Sequence, residues 1–143
     1  MRKLNIVFIL VFISSIIYAK ENFGSIKVDE VTSIYDGDTF RANISTYPDI
    51  IGKRISIRIN GIDTPEIKAK CIKEKELAIK AKQLTVTTLR NAKTIELRNM
   101  QRGKYFRIVA DVYADNKSLA NSLIENNLAV VYDGGTKTKY WCK

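Results

Sequence analysis

Histidine is absent from all 143 residues of this sequence. Its absence excludes Ser-His and Cys-His catalytic pairs, histidine-ligated zinc and any mechanism with an imidazole general base. Cysteine is scarce as well, since Cys71 and Cys142 are the only two, too few for an all-cysteine zinc site. The length allows one ordinary domain and argues against two. Any chemistry must therefore rely on carboxylates, arginine, lysine, tyrosine, hydroxyl groups or a bound hard cation.

The N-terminus is basic and is followed by a nearly unbroken apolar run over residues 6–17. This pattern, with small residues at its end, is typical of a secretory signal peptide, which we expect to span residues 1–19. The run is shorter than the ~20 apolar residues that cross a membrane, so an uncleaved anchor is the less favoured alternative. We therefore expect export to the periplasm or the medium, with residues 20–143 forming the mature domain without stable membrane association.

Positive charge is in excess, with 24 Lys and Arg against 15 Asp and Glu. A surplus of this size on a small domain favours polyanionic partners such as nucleic acids, although many exported proteins are simply basic. Export also changes the meaning of the two cysteines, because thiol pairs in an oxidising compartment are usually joined. We predict a Cys71–Cys142 disulfide, with two free thiols as the alternative.

The hydrophobic pattern predicts an α+β domain that consists mainly of strands. A long helix is predicted over residues 73–90, and a short one follows Ser118, a favourable N-cap. Residues 47–52 and 61–66 are expected to be loops, the second because of Pro65. The predicted strands cover residues 24–35, 38–44, 53–60, 94–98 and 107–113. Five strands with a helix between the third and the fourth are the layout of the OB-fold barrel.

Unusual polar residues are concentrated in four short stretches. Taken singly, each has an ordinary interpretation as a turn, a solvated strand residue or a loop that leads into a helix. The stretches are Asp36-Gly37-Asp38-Thr39, Arg58, Asp63-Thr64-Pro65-Glu66 and Lys104-Tyr105-Phe106-Arg107.

Together the four stretches hold what phosphodiester hydrolysis needs. Clustered carboxylates supply hard oxygen ligands for calcium or magnesium. Arg58 and Arg107 are suited to grip phosphate oxygens, and the adjacent lysine and tyrosine can contact phosphate or a base. Glu66 is the obvious acceptor for a proton from the attacking water, because a carboxylate beside a cation stays ionised.

The series DGDT at 36–39, Arg58 followed by GIDTPE at 61–66, and KYFR at 104–107 resembles the staphylococcal nuclease (thermonuclease) family. The resemblance extends in order from about residue 31 to residue 131. It implies an OB-fold, calcium-dependent nuclease that acts on DNA and RNA. Such an enzyme cuts the 5′ side of the phosphodiester and leaves 3′-phosphates. We expect it to be a monomer.

The resemblance also implies a set of metal ligands. By motif position, the carboxylates of Asp38 and Asp63 and the main-chain carbonyl of Thr64 correspond to calcium ligands. Asp36 corresponds to a residue that reaches the ion through water.

Roles in catalysis and substrate binding follow from the same resemblance. Glu66 matches the family's proposed general base, and Arg58 and Arg107 match the pair that binds the scissile phosphate. Lys104 and Tyr105 resemble residues that bind the terminal phosphate of a nucleotide.

The sequence departs from the family at two places. Phe106 stands where the motif usually has glycine, which restricts the backbone beside Arg107. The tail after Val131 is too short for a long third helix, so we expect the disulfide to replace its anchoring. Tyr132 corresponds to a family tyrosine that packs on the base.

Two other function classes are compatible with a basic barrel. The first is a non-catalytic OB-type nucleic-acid-binding module, as in family members that have lost their acids. The second is an exported domain that binds acidic glycans or cell-wall polymers. This sequence has all the acids of the motifs and both arginines, Arg58 and Arg107, which favours the nuclease over these two classes.

Overall fold

A computed structural model describes residues 21–142. The predicted signal peptide at residues 1–19 lies outside them, so it stays a prediction. In chain order the elements are β1 (Ile26–Lys27), β2 (Glu30–Ile34), β3 (Thr39–Asn43), α1 (Asp49–Gly52), β4 (Ile55–Ile59), β5 (Ile62–Asp63), α2 (Ile72–Asn91), β6 (Ile95–Arg102), β7 (Arg107–Ala114), β8 (Lys117–Ser118), α3 (Leu119–Glu125) and β9 (Val130–Val131).

One curled sheet forms a half-barrel around the core. Its strand order is β1-β6-β7-β4-β3-β2, with β8 beside β7. Neighbouring strands are antiparallel except β4 and β7, which are parallel. The five longest strands are β2, β3, β4, β6 and β7. Of these, β4 and β6 are the third and the fourth, and α2 lies between them in the chain. The predicted α+β class and OB-type layout are therefore confirmed.

The first predicted strand, residues 24–35, is divided into β1 and β2. β1 pairs with β6, whereas β2 pairs with β3. The change of partner occurs between two residues, because the Val28 amide donates to the Ile95 carbonyl and the Asp29 amide donates to the Asn43 carbonyl. This bend lets one segment contact both ends of the sheet.

Both segments predicted as loops contain a short element. Residues 47–52 include α1, a single turn that begins after Pro48. Ile62 and Asp63 pair with Val131 and Val130 to form the two-stranded sheet β5–β9. β6 also continues to Arg102, beyond the predicted end at residue 98, since its last residues keep pairing with β7 after an irregularity in the register.

The core lies between the inner face of the sheet and the two longer helices. Ile55, Ile57 and Ile59 of β4 are buried, as their alternation predicts. The buried face of α2 consists mainly of small residues, namely Ala78, Ala81, Thr85 and Leu89. Small side chains allow the helix to approach the strand ends closely, and this approach positions the site. Ser118 caps α3 as predicted, since its side chain accepts from the Asn121 amide.

A disulfide joins Cys71 to Cys142, as predicted. It fastens Cys142 of the tail to Cys71, the residue directly before α2. Residues 132–142 contain no helix or strand. None of the helices within residues 21–142 combines the length and the apolar character needed to cross a membrane.

Candidate active site

The turn at residues 36–38 is packed tightly against α2. A Cβ on Gly37 would lie 2.8 Å from the Ala81 Cβ and 2.9 Å from the Thr64 Cγ2, so only glycine fits there. The Thr85 hydroxyl donates to the Gly37 carbonyl at 2.6 Å. These contacts fix the direction of the Asp38 side chain that follows.

Asp38 is the most buried acid of the site, with 1% of its surface exposed. One of its carboxylate oxygens accepts from the Thr39 hydroxyl at 2.9 Å and is paired with Arg58. The other accepts from the Thr64 amide at 3.2 Å and from the Thr64 hydroxyl at 3.0 Å. The two predicted acidic motifs are thus joined directly.

Arg58 connects the acids because its guanidinium contacts both Asp38 and Asp63. It lies 3.4 Å from the Asp63 Oδ1, and it also donates to the Ile62 carbonyl at 3.3 Å. β4 places Arg58 opposite Thr39 in the register, next to the acidic turn. The structure therefore brings Arg58, Asp38, Asp63 and Thr64 into one cluster.

Asp36 supports the turn, since its carboxylate accepts from the Asp38 amide at 3.1 Å. Burial raises the pKa of Asp36 to about 6, and the nearby negative charge of Asp38 adds to the increase. Asp36 is thus a buried acid next to the cluster.

Glu66 lies at the edge of this cluster, with 56% of its side chain exposed. Its amide donates to the Glu74 carboxylate at 3.1 Å, which ties the end of the DTPE motif to the first turn of α2. The Glu66 carboxylate therefore faces water while its backbone is held.

Lys137 of the tail is a site residue that the sequence analysis missed. Its ammonium lies 2.8 Å from the Asp63 Oδ1 and 2.8 Å from the Glu66 Oε1. Partial burial alone would lower the pKa of Lys137, but its hydrogen bonds to the two carboxylates outweigh burial and raise the pKa above its usual value. The predicted disulfide could have identified Lys137. Lys137 lies five residues before Cys142 and Glu66 lies five residues before Cys71, so joining the two cysteines brings Lys137 near Glu66.

A groove of about 350 Å³ adjoins the cluster. Four of the predicted site residues line it, namely Arg58, Lys104, Arg107 and Tyr132. The Nε of Arg107 is buried and has no hydrogen-bond partner within residues 21–142. A buried donor of this kind normally has a partner, and in a basic groove an anion is the natural one.

The remaining predicted substrate residue, Tyr105, is 90% exposed and lies outside the lining of the groove. Tyr105 and Phe106 both have positive φ, at 58° and 55°. The chain thus keeps at Phe106 a left-handed conformation that favours glycine. The Phe106 ring lies 4.6 Å from the Arg102 guanidinium, so its side chain has a partner.

The chemistry of the acidic cluster fits a hard cation, because its ligand atoms are carboxylate, hydroxyl and carbonyl oxygens. Among residues 21–142, the only three Cys, Asp or Glu side chains with ligand atoms all within 4.8 Å of one another are Cys71, Glu74 and Cys142. The two sulfurs of that group are joined in the disulfide. The acids of the site are spaced more widely, with the cationic groups of Arg58 and Lys137 between them.

Residues 56–140 match the sequence profile of a protein family described as staphylococcal nuclease homologue. This is more than half of the chain, and it contains Arg58, the DTPE motif, the KYFR motif and Lys137. The DGDT motif at residues 36–39 precedes the matched region. No curated protein gives a significant match to the chain.

Proposed function

The chain belongs to the staphylococcal nuclease family, and from that premise we propose that it is a calcium-dependent nuclease. Its substrates would be DNA and RNA, and its products would carry 3′-phosphates. One observation carries the proposal: Arg58 contacts the buried acids Asp38 and Asp63 and also lines the groove that contains Arg107. Acids for a cation and guanidinium groups for a phosphate therefore share one site.

In this proposal Asp38, Asp63 and the Thr64 carbonyl would hold the calcium ion, and Asp36 would act on it through water. When bound, calcium would offset the negative charge that develops on the phosphate. Burial of the two aspartates supports the assignment, because such acids gain most from a nearby cation.

Arg58 and Arg107 bind the scissile phosphate and stabilise its transition state. The free Nε of Arg107 and the position of both side chains in one groove support these roles. Lys104 and Tyr105 bind the terminal phosphate of the substrate, and Tyr132 packs on its base.

Glu66 accepts a proton from the attacking water. The water oxygen forms a bond to phosphorus, the bond between phosphorus and the 5′ oxygen breaks, and the departing 5′ oxygen takes a proton from solvent water. The products are a 3′-phosphate and a 5′-hydroxyl. The exposure of the Glu66 side chain supports this role, since water can reach it directly.

We also propose that residues 1–19 are a signal peptide and that the mature domain, residues 20–143, acts as a monomer in the periplasm or the medium. The disulfide supports export, because such bonds persist in oxidising compartments.

Digestion of single-stranded DNA and of RNA, with calcium and with an excess of calcium chelator, tests the proposal. We expect cleavage with calcium only, and products that a 3′-phosphatase can dephosphorylate. Nucleic-acid binding without cleavage at any calcium concentration would instead identify a non-catalytic OB-type binding module.

A further inference from the structure

We propose that Lys137 is an internal cation, paired with Asp63 and Glu66, that competes with calcium for Asp63 and is displaced when calcium binds. The inference rests on the proposed function, because it concerns the same acids. It adds a part for the C-terminal tail, which would set how much calcium the site requires.

The contacts of Lys137 are those of a bound cation. Its ammonium is equidistant, at 2.8 Å, from one oxygen of Asp63 and one oxygen of Glu66. The Asp63 side chain is 6% exposed, whereas the Lys137 side chain is 46% exposed. The lysine therefore reaches from the surface to a buried acid.

The same Asp63 oxygen already receives two positive groups, since Arg58 lies 3.4 Å from it and Lys137 lies 2.8 Å from it. A divalent ion on this carboxylate would be repelled by the ammonium at short range. Calcium binding and the Lys137 contact are therefore opposed at the Asp63 carboxylate.

The tail is attached on both sides of Lys137, so its lysine is held near the acids. On one side, Val130 and Val131 pair with β5, and the Tyr132 amide donates to the Gly61 carbonyl at 2.9 Å. On the other side, Cys142 is bonded to Cys71. Such a tether keeps the local concentration of the ammonium high.

The attachments still permit the lysine to leave the acids. Residues 133–140 are exposed and contain no helix or strand. Movement of this segment breaks neither the disulfide nor the β5–β9 pairing. Displacement of Lys137 therefore requires the loss of its two ion pairs and leaves the fold intact.

Isothermal titration of calcium chloride into the purified full-length protein tests the competition without any substrate. We expect Lys137→Met to lower the dissociation constant for calcium by about tenfold, which corresponds to about 1.4 kcal/mol. Lys137→Arg should stay close to the wild-type value, because it keeps the charge. Thermal melts would show that each variant is folded.

Lys139→Met is the matched control, because it removes the same charge from the same tail. The Lys139 ammonium lies 5.2 Å from the centroid of the Trp141 ring, away from the acids.

Equal dissociation constants for the wild type, Lys137→Met and Lys139→Met would overturn the inference and leave the proposed calcium site intact. An equal decrease in both variants would also overturn it, as a general charge effect. Absence of calcium binding in every variant would overturn the proposed site and the inference together.

Reduction of the disulfide tests the tether. In the wild type, reduction should shift the dissociation constant for calcium toward that of Lys137→Met, because the lysine loses its local concentration. In Lys137→Met, reduction should change it little. An equal shift in both proteins would show that the tether does not act through Lys137.

Discussion

Glu66 differs from the other acids of the site because its side chain is exposed and its backbone is fixed to α2 through Glu74. We therefore predict that Glu66→Gln lowers kcat by about 10²–10⁴-fold, the usual contribution of a general base. The dissociation constant of a nucleoside bisphosphate should change little, because the carboxylate acts on water. Initial rates at saturating calcium and fluorescence anisotropy would measure the two quantities.

The matched control for this prediction is Glu76→Gln, which makes the same change on the exposed face of α2. It should leave kcat close to the wild-type value. A wild-type rate in Glu66→Gln would assign the proton transfer to another group.

Arg107 lines the groove, and its buried Nε has no hydrogen-bond partner within residues 21–142. We predict that Arg107→Ala lowers kcat by about 10²–10³-fold, since removal of one preorganised donor to a transition-state oxygen has effects of that size. Arg41→Ala, at an exposed position of β3 outside the groove lining, should have little effect. Steady-state rates on one oligonucleotide would compare them, and equal rates would remove Arg107 from the site.

Residue chemistry made most of the cluster predictable, but it could not identify Lys137. The acids and Arg58 lie in short motifs whose composition points to a cation and a phosphate. Lys137 is one of many lysines, and it is 71 residues from Glu66, one of the two acids that it contacts. Only the path of the tail, which the disulfide sets, distinguishes it from the others.

At the scale of the element, α2 holds the acidic turn through Thr85. We predict that Thr85→Val lowers the free energy of unfolding by about 1–3 kcal/mol, because the Gly37 carbonyl loses its buried donor while the shape is kept. kcat should fall too, since Asp38 follows Gly37 directly. Urea denaturation would measure the change in stability.

Thr87→Val is the control for this prediction, because Thr87 lies on the exposed face of the same helix. It should have little effect on the midpoint of unfolding. A wild-type midpoint in Thr85→Val would show that the hydroxyl does not hold the turn.

The predicted elements were found wherever a long pattern specified them. Alternation in residues 55–59 and the helical spacing of α2 were sufficient. The β5–β9 pairing was missed because two-residue strands have no measurable period. It brings Asp63 beside Val130 and begins the tail, so part of the site depends on a contact that local sequence does not specify.

At the scale of the whole molecule, the disulfide closes a loop with a sequence separation of 71 residues that contains α2, β6, β7 and α3. In the loop-entropy model, closure of such a loop stabilises the folded state by about 4 kcal/mol. We predict a loss of about this size when the disulfide is reduced, measured by urea denaturation with and without a phosphine reductant.

Reduction of the wild type is a cleaner test than replacement of the cysteines, because the Cys71 sulfur also accepts from the Glu74 amide at the start of α2. A reduced thiol can keep that contact, whereas an alanine cannot. The double substitution Cys71→Ala with Cys142→Ala should therefore be less stable than the reduced wild type, by the contribution of a helix cap, about 1 kcal/mol. If reduction leaves the midpoint unchanged, the half-barrel and α2 hold the molecule together without the disulfide, and its remaining effect would be to keep the tail near the acids.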